Sequence, residues 1–166
     1  ISILSQETLI DDLGKKSEFT IEDMLESCKL VSSLGTVSNQ QDALSSYFCY
    51  FFKSGKLVSN NRTYSREVLD LFALRMNFDL DVLLDAFDQQ KYISGIQIVY
   101  DRSGVPYALV LQNQYSDDYK EKQSCIGQLL NLSSILNIWD GDTSEVFLMD
   151  RDGSFIYGSE NVEQAV

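Results

Sequence analysis

The strongest constraint on the fold is the period-two pattern of apolar residues that begins after Gly95. Residues 96–100 place Ile96, Ile98 and Tyr100 on one side of an extended chain, the spacing typical of a β-strand. The Asp-Arg-Ser-Gly sequence at 101–104 then predicts a turn into a second strand at 107–111. Pro106 has no N–H to donate, so we expect the returning strand to begin at an edge or a bulge.

Two further hairpins are indicated by the same reasoning. Residues 146–149 and 155–157 flank a second Asp-Arg-x-Gly turn at 150–153. The aromatic run at 47–52 is interrupted by Ser54-Gly55 and resumes at Leu57-Val58. Dense aromatic residues favour strands, so a hairpin is predicted here as well.

The N-terminal part favours helices. Thr20 and Asp23 imitate a capping box, which predicts a helix that starts there and stops at Gly35. Its apolar residues recur every three or four positions, so we expect them to form the buried face of the helix. These residues are Ile21, Met24, Leu25, Cys28 and Val31. Residues 1–19 show no clear period and are treated as an arm.

Three more helix starts are predicted. Ser65 and Asp79 are good N-caps for two helices separated at Asn77. Ser116, followed by two acids, predicts a long third helix with Leu129 among its apolar residues. That helix is apolar over much of its girth, so its neighbours would be its own sheet alone or its sheet and a second subunit.

These elements predict an α/β fold of the α+β type, a mainly antiparallel sheet of two or three hairpins with helices packed on it. The expected order is α-β-β-α-α-β-β-α-β-β. We expect an N-terminal segment at 1–77 and an α/β module at 78–166, or one continuous domain.

The absence of histidine among 166 residues excludes several catalytic classes. Histidine triads, histidine general bases and histidine metal ligands are all impossible. Neither a Walker loop, a G-x-G-x-x-G loop nor an S-x-x-K sequence occurs. We therefore predict that the chain is not an enzyme and carries no cofactor.

One acidic cluster keeps a catalytic alternative open. A metal-dependent phosphohydrolase would need its four aspartates to converge on a divalent cation, but they miss the EF-hand register. We expect them to be solvated turn residues, so no metal site is predicted. The four are Asp140, Asp142, Asp150 and Asp152.

Charge and cysteine usage bear on partners and location. A net charge of -12 argues against nucleic acid as a partner, because phosphates would be repelled. Cys28, Cys49 and Cys125 are widely spaced within apolar runs, which predicts reduced core thiols and a cytoplasmic chain. No run approaches the ~20 apolar residues of a membrane span. We expect any membrane anchor to lie in a segment outside this chain.

One stretch of the chain is basic, although the net charge of the whole chain is -12. Lys53, Lys56, Arg62 and Arg66 fall within fourteen residues that contain no acid. Such a patch is suited to an acidic protein partner, although a solvated hairpin and loop would have the same pattern.

The order helix, hairpin, long helix, hairpin from about Asp79 to Tyr157 resembles the roadblock/LC7 family. The matching text is LLDAFDQQKYISGIQIVYDRSGVPYAL, followed later by EVFLMDRDGSFIYG. The resemblance implies a dimeric, non-enzymatic adaptor or scaffold that binds a small GTPase or a motor or transport component. It also implies homodimer formation through the long helix, at Ile126, Leu130, Ser133 and Asn137.

A second hypothesis is the cytoplasmic domain of an inner-membrane protein of type IV pilus or type II secretion assembly. The acidic, Ser/Asn/Tyr-rich composition suits such a domain, which would dock other machinery components. An acidic secretion chaperone is a further alternative.

Overall fold

The computed structural model describes residues 3–38, 44–59, 62–89, 94–116, 118, 120–134, 147–149 and 155–158. Helices and strands segregate into an N-terminal helical pair, a sheet and a second helical pair. The helices are α1 (Ile3–Gly14), α2 (Ile21–Ser38), a short 3-10 helix (Arg66–Val68), α3 (Leu69–Arg75) and α4 (Leu80–Gln89). The strands are β1 (Leu44–Phe51), β2 (Lys56–Ser59), β3 (Thr63–Tyr64), β4 (Ser94–Tyr100), β5 (Pro106–Tyr115), β6 (Lys122–Asn131), β7 (Phe147–Met149) and β8 (Phe155–Gly158).

Six strands form one antiparallel sheet in the order β3-β2-β1-β6-β5-β4, and β7 pairs with β8 separately. The sheet is joined at its centre by β1 and β6, where Phe48 lies opposite Gly127. This confirms the α+β class with a mainly antiparallel sheet. Strands from both sides of residue 77 share the sheet, while the division into two domains stays a prediction.

The three predicted hairpins are present as β1/β2, β4/β5 and β7/β8. In the β4–β5 turn, Asp101 Oδ1 accepts hydrogen bonds from the backbone N–H groups of Ser103 and Val105, both at 2.8 Å. Gly104 has a φ of 79°, a left-handed conformation that favours glycine. The turn at 150–153 lies outside the described residues.

The long helix predicted after Ser116 is wrong, because residues 122–131 form strand β6 instead. β6 lies between β1 and β5 and is covered on both faces. A strand buried on both faces loses the period-two pattern. Its apolar residues at 126, 129 and 130 therefore have a spacing that also fits a helix. Residues 132–134 are helical.

The N-terminal arm is also corrected, because it contains α1. Ile10 and Leu13, three residues apart, are buried on its inner side. The predicted start of α2 is confirmed as a reciprocal capping box: the Thr20 N–H donates to Asp23 Oδ2 at 2.8 Å and the Asp23 N–H donates to Thr20 Oγ1 at 3.2 Å. The helix ends at Ser38 rather than at Gly35.

Asn77 separates α3 from α4, as predicted. Its φ of 62° is left-handed, a conformation that asparagine tolerates better than most residues. The Asn77 Nδ2 donates to Asp101 Oδ2 and to Ser103 Oγ, both at 3.0 Å. These bonds tie the α3–α4 corner to the β4–β5 turn.

The sheet separates two apolar cores. The α3–α4 core fills one face with tightly packed side chains, while the α1–α2 core on the other face is smaller. The buried members of the α3–α4 core are Phe48, Leu57, Tyr64, Leu69, Phe72, Ala73, Phe78, Leu83, Ala86, Phe87, Val99, Leu109, Leu111, Cys125 and Leu129. Those of the α1–α2 core are Ile10, Leu13, Phe19, Leu30, Cys49, Phe51 and Val58.

The Phe48 ring lies directly on Gly127, so we expect Gly127→Ala to destabilise the fold. An added Cβ would come within 2.2 Å of Phe48 Cζ, which forces the ring or the strand to move. Overpacking of this kind costs about 1–3 kcal/mol, measurable as a lower free energy of unfolding in urea.

Phe48→Leu provides the control for this clash. We expect Gly127→Ala to cost less in the Phe48→Leu background than in the wild type, because the ring that it meets is gone. Equal costs in the two backgrounds would show that the Phe48–Gly127 contact does not set the packing.

Candidate functional site

The face of the sheet beneath α3 and α4 is closed by aromatic packing. The Phe48 ring lies 5.3 Å from that of Phe72 and 5.6 Å from that of Phe87, measured between centroids. The Tyr64 ring adds an edge contact to Phe72 at 5.5 Å. These side chains occupy the space between sheet and helices, so the described conformation leaves this core filled.

An open cleft lies instead between α1 and α2. Its volume is about 490 Å³, within the range of small-molecule sites. Leu9 and Leu13 give it an apolar wall, and Lys16 is the cation among its lining residues. The remaining lining residues are polar or acidic: Asp12, Thr20, Glu22, Asp23 and Glu26.

Lys16 and Asp23 form an ion pair in the cleft. Asp23 is buried, whereas the Lys16 side chain is 43% exposed. The hydrogen bond to Asp23 raises the pKa of Lys16. The bond from Lys16, followed by the backbone N–H of Thr20, lowers the pKa of Asp23. Both groups are therefore held in their charged forms.

The bonds around Asp23 are divided between its two oxygens. Oδ1 accepts from Lys16, while Oδ2 accepts from the Thr20 N–H and from Thr20 Oγ1 at 2.9 Å. Asp23 would keep both Thr20 bonds if the Lys16 ammonium turned toward a ligand. The cleft thus offers a cation for a carboxylate and several carboxylates for an ammonium group.

The structure brings three of the four predicted basic residues to one end of the sheet. Lys53 lies in the β1–β2 turn, Lys56 begins β2 with its Nζ 5.6 Å from the Phe19 ring, and Arg66 packs against Gly55. Arg62 is at the other end of β2, where its carbonyl accepts from Ser59 N–H. Partner binding by this patch stays a prediction.

Sequence reasoning missed Lys122, which joins the basic end of the sheet. Its Nζ donates to the carbonyls of Phe87 and Asp88 at 2.9 and 3.2 Å and lies 5.6 Å from the Phe52 ring. The ammonium thus compensates the C-terminal carbonyls of α4. Its distance in sequence from α4 left no local signal for this contact.

The residues predicted for self-association do not lie on a long helix. Ile126 and Leu130 are half-buried in β6, and Ile126 packs on the α1–α2 core. Ser133 is exposed just after β6, and Asn137 lies outside the described residues. Self-association through this set stays untested, but the helix assumed for it is wrong.

The cysteines divide into two kinds. Cys49 and Cys125 are buried, as predicted; burial raises the pKa of Cys125 to about 12 and that of Cys49 well above its ordinary value. Such thiols stay protonated and unreactive. Cys28 is exposed, so its predicted place in the core is wrong.

Neither a metal-binding cluster nor a membrane-spanning helix is found among the described residues. Within the described ranges, no group of three or more Cys, Asp or Glu side chains is arranged to hold a metal ion. The four aspartates considered from the sequence, at 140, 142, 150 and 152, lie outside those ranges. None of the described helices combines the length and apolar character needed to cross a membrane.

The fold resembles that of solved sensory domains from Campylobacter jejuni. One is the sensory domain of the chemoreceptor Tlp3 (CcmL) with isoleucine bound, which has 14% sequence identity to this chain and a TM-score of 0.51. The match covers 95% of this chain and 62% of the Tlp3 chain. The ligand-binding domain of Tlp3 in complex with L-valine gives the same values. Neither a protein-family profile nor a curated protein matches the chain by sequence.

The described fold is similar to that of the Tlp3 sensory domains. At 14% identity the likeness establishes the fold alone, and this chain spans 62% of the length of the two Tlp3 structures. The neighbours are described as sensory and ligand-binding domains, which agrees with the prediction of a non-enzymatic chain.

Four predictions are overturned by these neighbours. The resemblance to roadblock/LC7 domains is wrong, as is the alternative of a pilus or secretion assembly domain. The predicted role as an adaptor for a small GTPase or a motor component is wrong as well. The cytoplasmic location is contradicted because chemoreceptor sensory domains of this type are extracytoplasmic. Helix-plus-hairpin order is shared by many small folds, so it could not distinguish these families.

The Lys16–Asp23 pair makes stability depend on pH. The pKa of Asp23 in the folded chain lies below the ordinary aspartate value of 3.8. The ionised carboxylate therefore makes its full contribution to the stability of the fold above pH 3.8. That contribution is lost as the pH falls through the depressed pKa. We expect Asp23→Asn to be less stable than wild type in urea at pH 7, with a difference that shrinks below pH 3.8.

Asp85→Asn, an exposed substitution on α4, controls for the loss of one negative charge. A gap between wild type and Asp23→Asn that stays constant from pH 7 down to pH 2 would contradict the assignment of a stabilising carboxylate at Asp23.

Proposed function

We propose that the chain is a sensory domain that binds a small molecule outside the cytoplasm. The observation that carries this proposal is the match of 95% of the chain to domains that bind isoleucine and L-valine. The acidic surface and the lack of histidine are compatible with recognition without catalysis.

The ligand class we propose is a zwitterion with an apolar side chain, such as an amino acid. Its carboxylate would bind Lys16, and its ammonium group would bind the acids of the opposite wall, among them Glu22 and Glu26. Its side chain would contact Leu9 and Leu13. The α3–α4 core is a poorer candidate because its aromatic side chains already fill the space.

Ligand binding at this position would couple α1 to α2. The two helices are already joined by Lys16, which follows α1, and Asp23 in the first turn of α2. A ligand that takes the Lys16 ammonium would replace this direct contact by a bridge through its own carboxylate. The relative position of the two helices would then report occupancy.

Calorimetric titration with amino acids tests the proposal. We expect saturable binding of L-isoleucine or L-valine, and little binding of isobutylamine or isovalerate, each of which lacks one charged group of the zwitterion. Lys16→Met keeps the length of the side chain and removes its charge. A hydrogen bond to a charged group is worth about 1.5–3 kcal/mol, so this variant should bind about 10- to 100-fold more weakly.

Lys53→Met is the matched control, because it removes one exposed lysine that does not line the cleft. An unchanged affinity of Lys16→Met for the amino acid would show that the ligand binds outside the cleft. Failure of every amino acid in the panel to bind the folded wild type would sink the proposed ligand class.

A further inference from the structure

The outer face of α2 carries an exposed apolar stripe. Ile21 is 80% exposed, Leu25 62% and Met24 45%, and Cys28 lies one turn further along the same face. The spacing of three and four residues puts all four side chains on one side of the helix. The sequence predicted this face to be part of the core, and that prediction is wrong because the face is exposed to solvent.

The opposite face of α2 is fixed by specific contacts. Asp23 takes part in the capping box and the Lys16 pair, Ser27 Oγ lies 3.1 Å from Thr63 Oγ1, and Leu30 is buried in the α1–α2 core. A rotation that buried the stripe would break all of these contacts. The stripe is therefore a feature of the folded surface, and clustered apolar side chains on a surface mark sites of association.

We propose that a second copy of this chain covers the stripe, with the two α2 helices antiparallel and the two-fold axis near Leu25. In such a pair Leu25 meets Leu25 of the second copy, and Ile21 meets Cys28 of the second copy. A two-fold contact of this kind uses one patch twice, so the patch must be complementary to itself.

The charges beside the stripe favour this arrangement. Glu22 and Lys29 are seven residues apart, so they lie only about 20° apart around the helix, on the same flank of the stripe. In an antiparallel pair the same flank of each helix meets its counterpart on the other helix. Glu22 then lies opposite Lys29 of the second copy, and Lys29 lies opposite Glu22 of the second copy. Lys29 is already held on this flank by Glu26, 2.5 Å away.

A parallel pair lacks this complementarity, because it would bring the charged flank against the other edge of the stripe on the second helix, where Met24 lies. A membrane is a poorer occupant as well, since Glu22 and Glu26 would be repelled by anionic lipid head groups. The charges thus select a second copy in one orientation.

The size of the stripe sets the expected strength. From Ile21 to Cys28 the stripe spans only about 10 Å of helix, which is too short to bury the ~800 Å² per partner of a stable interface. We therefore expect a weak dimer whose population rises with protein concentration, measured by sedimentation equilibrium without ligand.

Leu25→Glu tests the stripe directly. It places two carboxylates at the two-fold axis and should raise the dimer dissociation constant at least tenfold. Leu74→Glu is the matched control, because Leu74 on α3 is 57% exposed and lies outside the stripe. A wild type that is monomeric at every concentration, or an equal effect of Leu74→Glu, overturns the proposal.

A charge exchange tests the orientation. Lys29→Glu should weaken the dimer. Adding Glu22→Lys to it should restore association, because the ion pairs between positions 22 and 29 of the two copies reform with their charges exchanged. Failure of the second substitution to restore association would remove the antiparallel register.

Oxidative cross-linking gives an independent test. Ile21→Cys should form covalent dimers through native Cys28 of the second copy, and adding Cys28→Ser should abolish them. Dimers that persist in Ile21→Cys/Cys28→Ser would indicate parallel helices and overturn the proposal. None of these experiments depends on the ligand, so their failure leaves the proposed sensory function to be judged on the titrations alone.

Discussion

The antiparallel pairing of β1 with β6 at the centre of the sheet joins β3-β2-β1 to β6-β5-β4. It joins two strands that are about eighty residues apart in sequence. The absence of a side chain at Gly127 lets the Phe48 ring approach β6 closely. That ring then contacts Phe72 of α3 and Phe87 of α4, so the position of both helices follows from the central strand pair.

The two faces of the sheet have different physical characters as a result. The α3–α4 face is sealed by aromatic contacts and gains its stability from apolar burial. The α1–α2 face combines a smaller apolar core with buried polar groups, including Asp23 and Ser27. Buried polar groups require partners, and Lys16, Thr20 and Thr63 supply them. Recognition of a charged small molecule is therefore more compatible with the α1–α2 side, where polar groups and an open cleft coincide.

Local signals in the sequence were sufficient for the hairpins, for the start of α2 and for the break between α3 and α4. The Asp101–Gly104 turn, the Thr20 capping box and the break at Asn77 depend on residues close together in the chain. The sequence did not reveal β6, because a strand covered on both faces has no alternation to detect. It also misassigned the inner face of α2, since Asp23 and Ser27 are buried by bonds to other elements while Ile21 and Leu25 face outward.

The candidate site was beyond sequence reasoning for a similar reason. Lys16 and Asp23 are close in the chain, but residues 1–19 gave no element from which to place Lys16. The cleft exists only because α1 and α2 pack side by side, a tertiary contact with no local signal. The basic run was visible in the sequence, yet strand β2 carries Arg62 away from Lys53 and Arg66.

A titration followed by backbone amide NMR distinguishes ligand binding in the α1–α2 cleft from binding within the α3–α4 core. Addition of L-isoleucine or another bound amino acid should shift the amide signals of Lys16, Thr20 and Glu22, while those of Phe72 and Phe87 stay in place. Shifts concentrated in α3 and α4, with the α1–α2 signals unchanged, would contradict the account and place the ligand within the aromatic core.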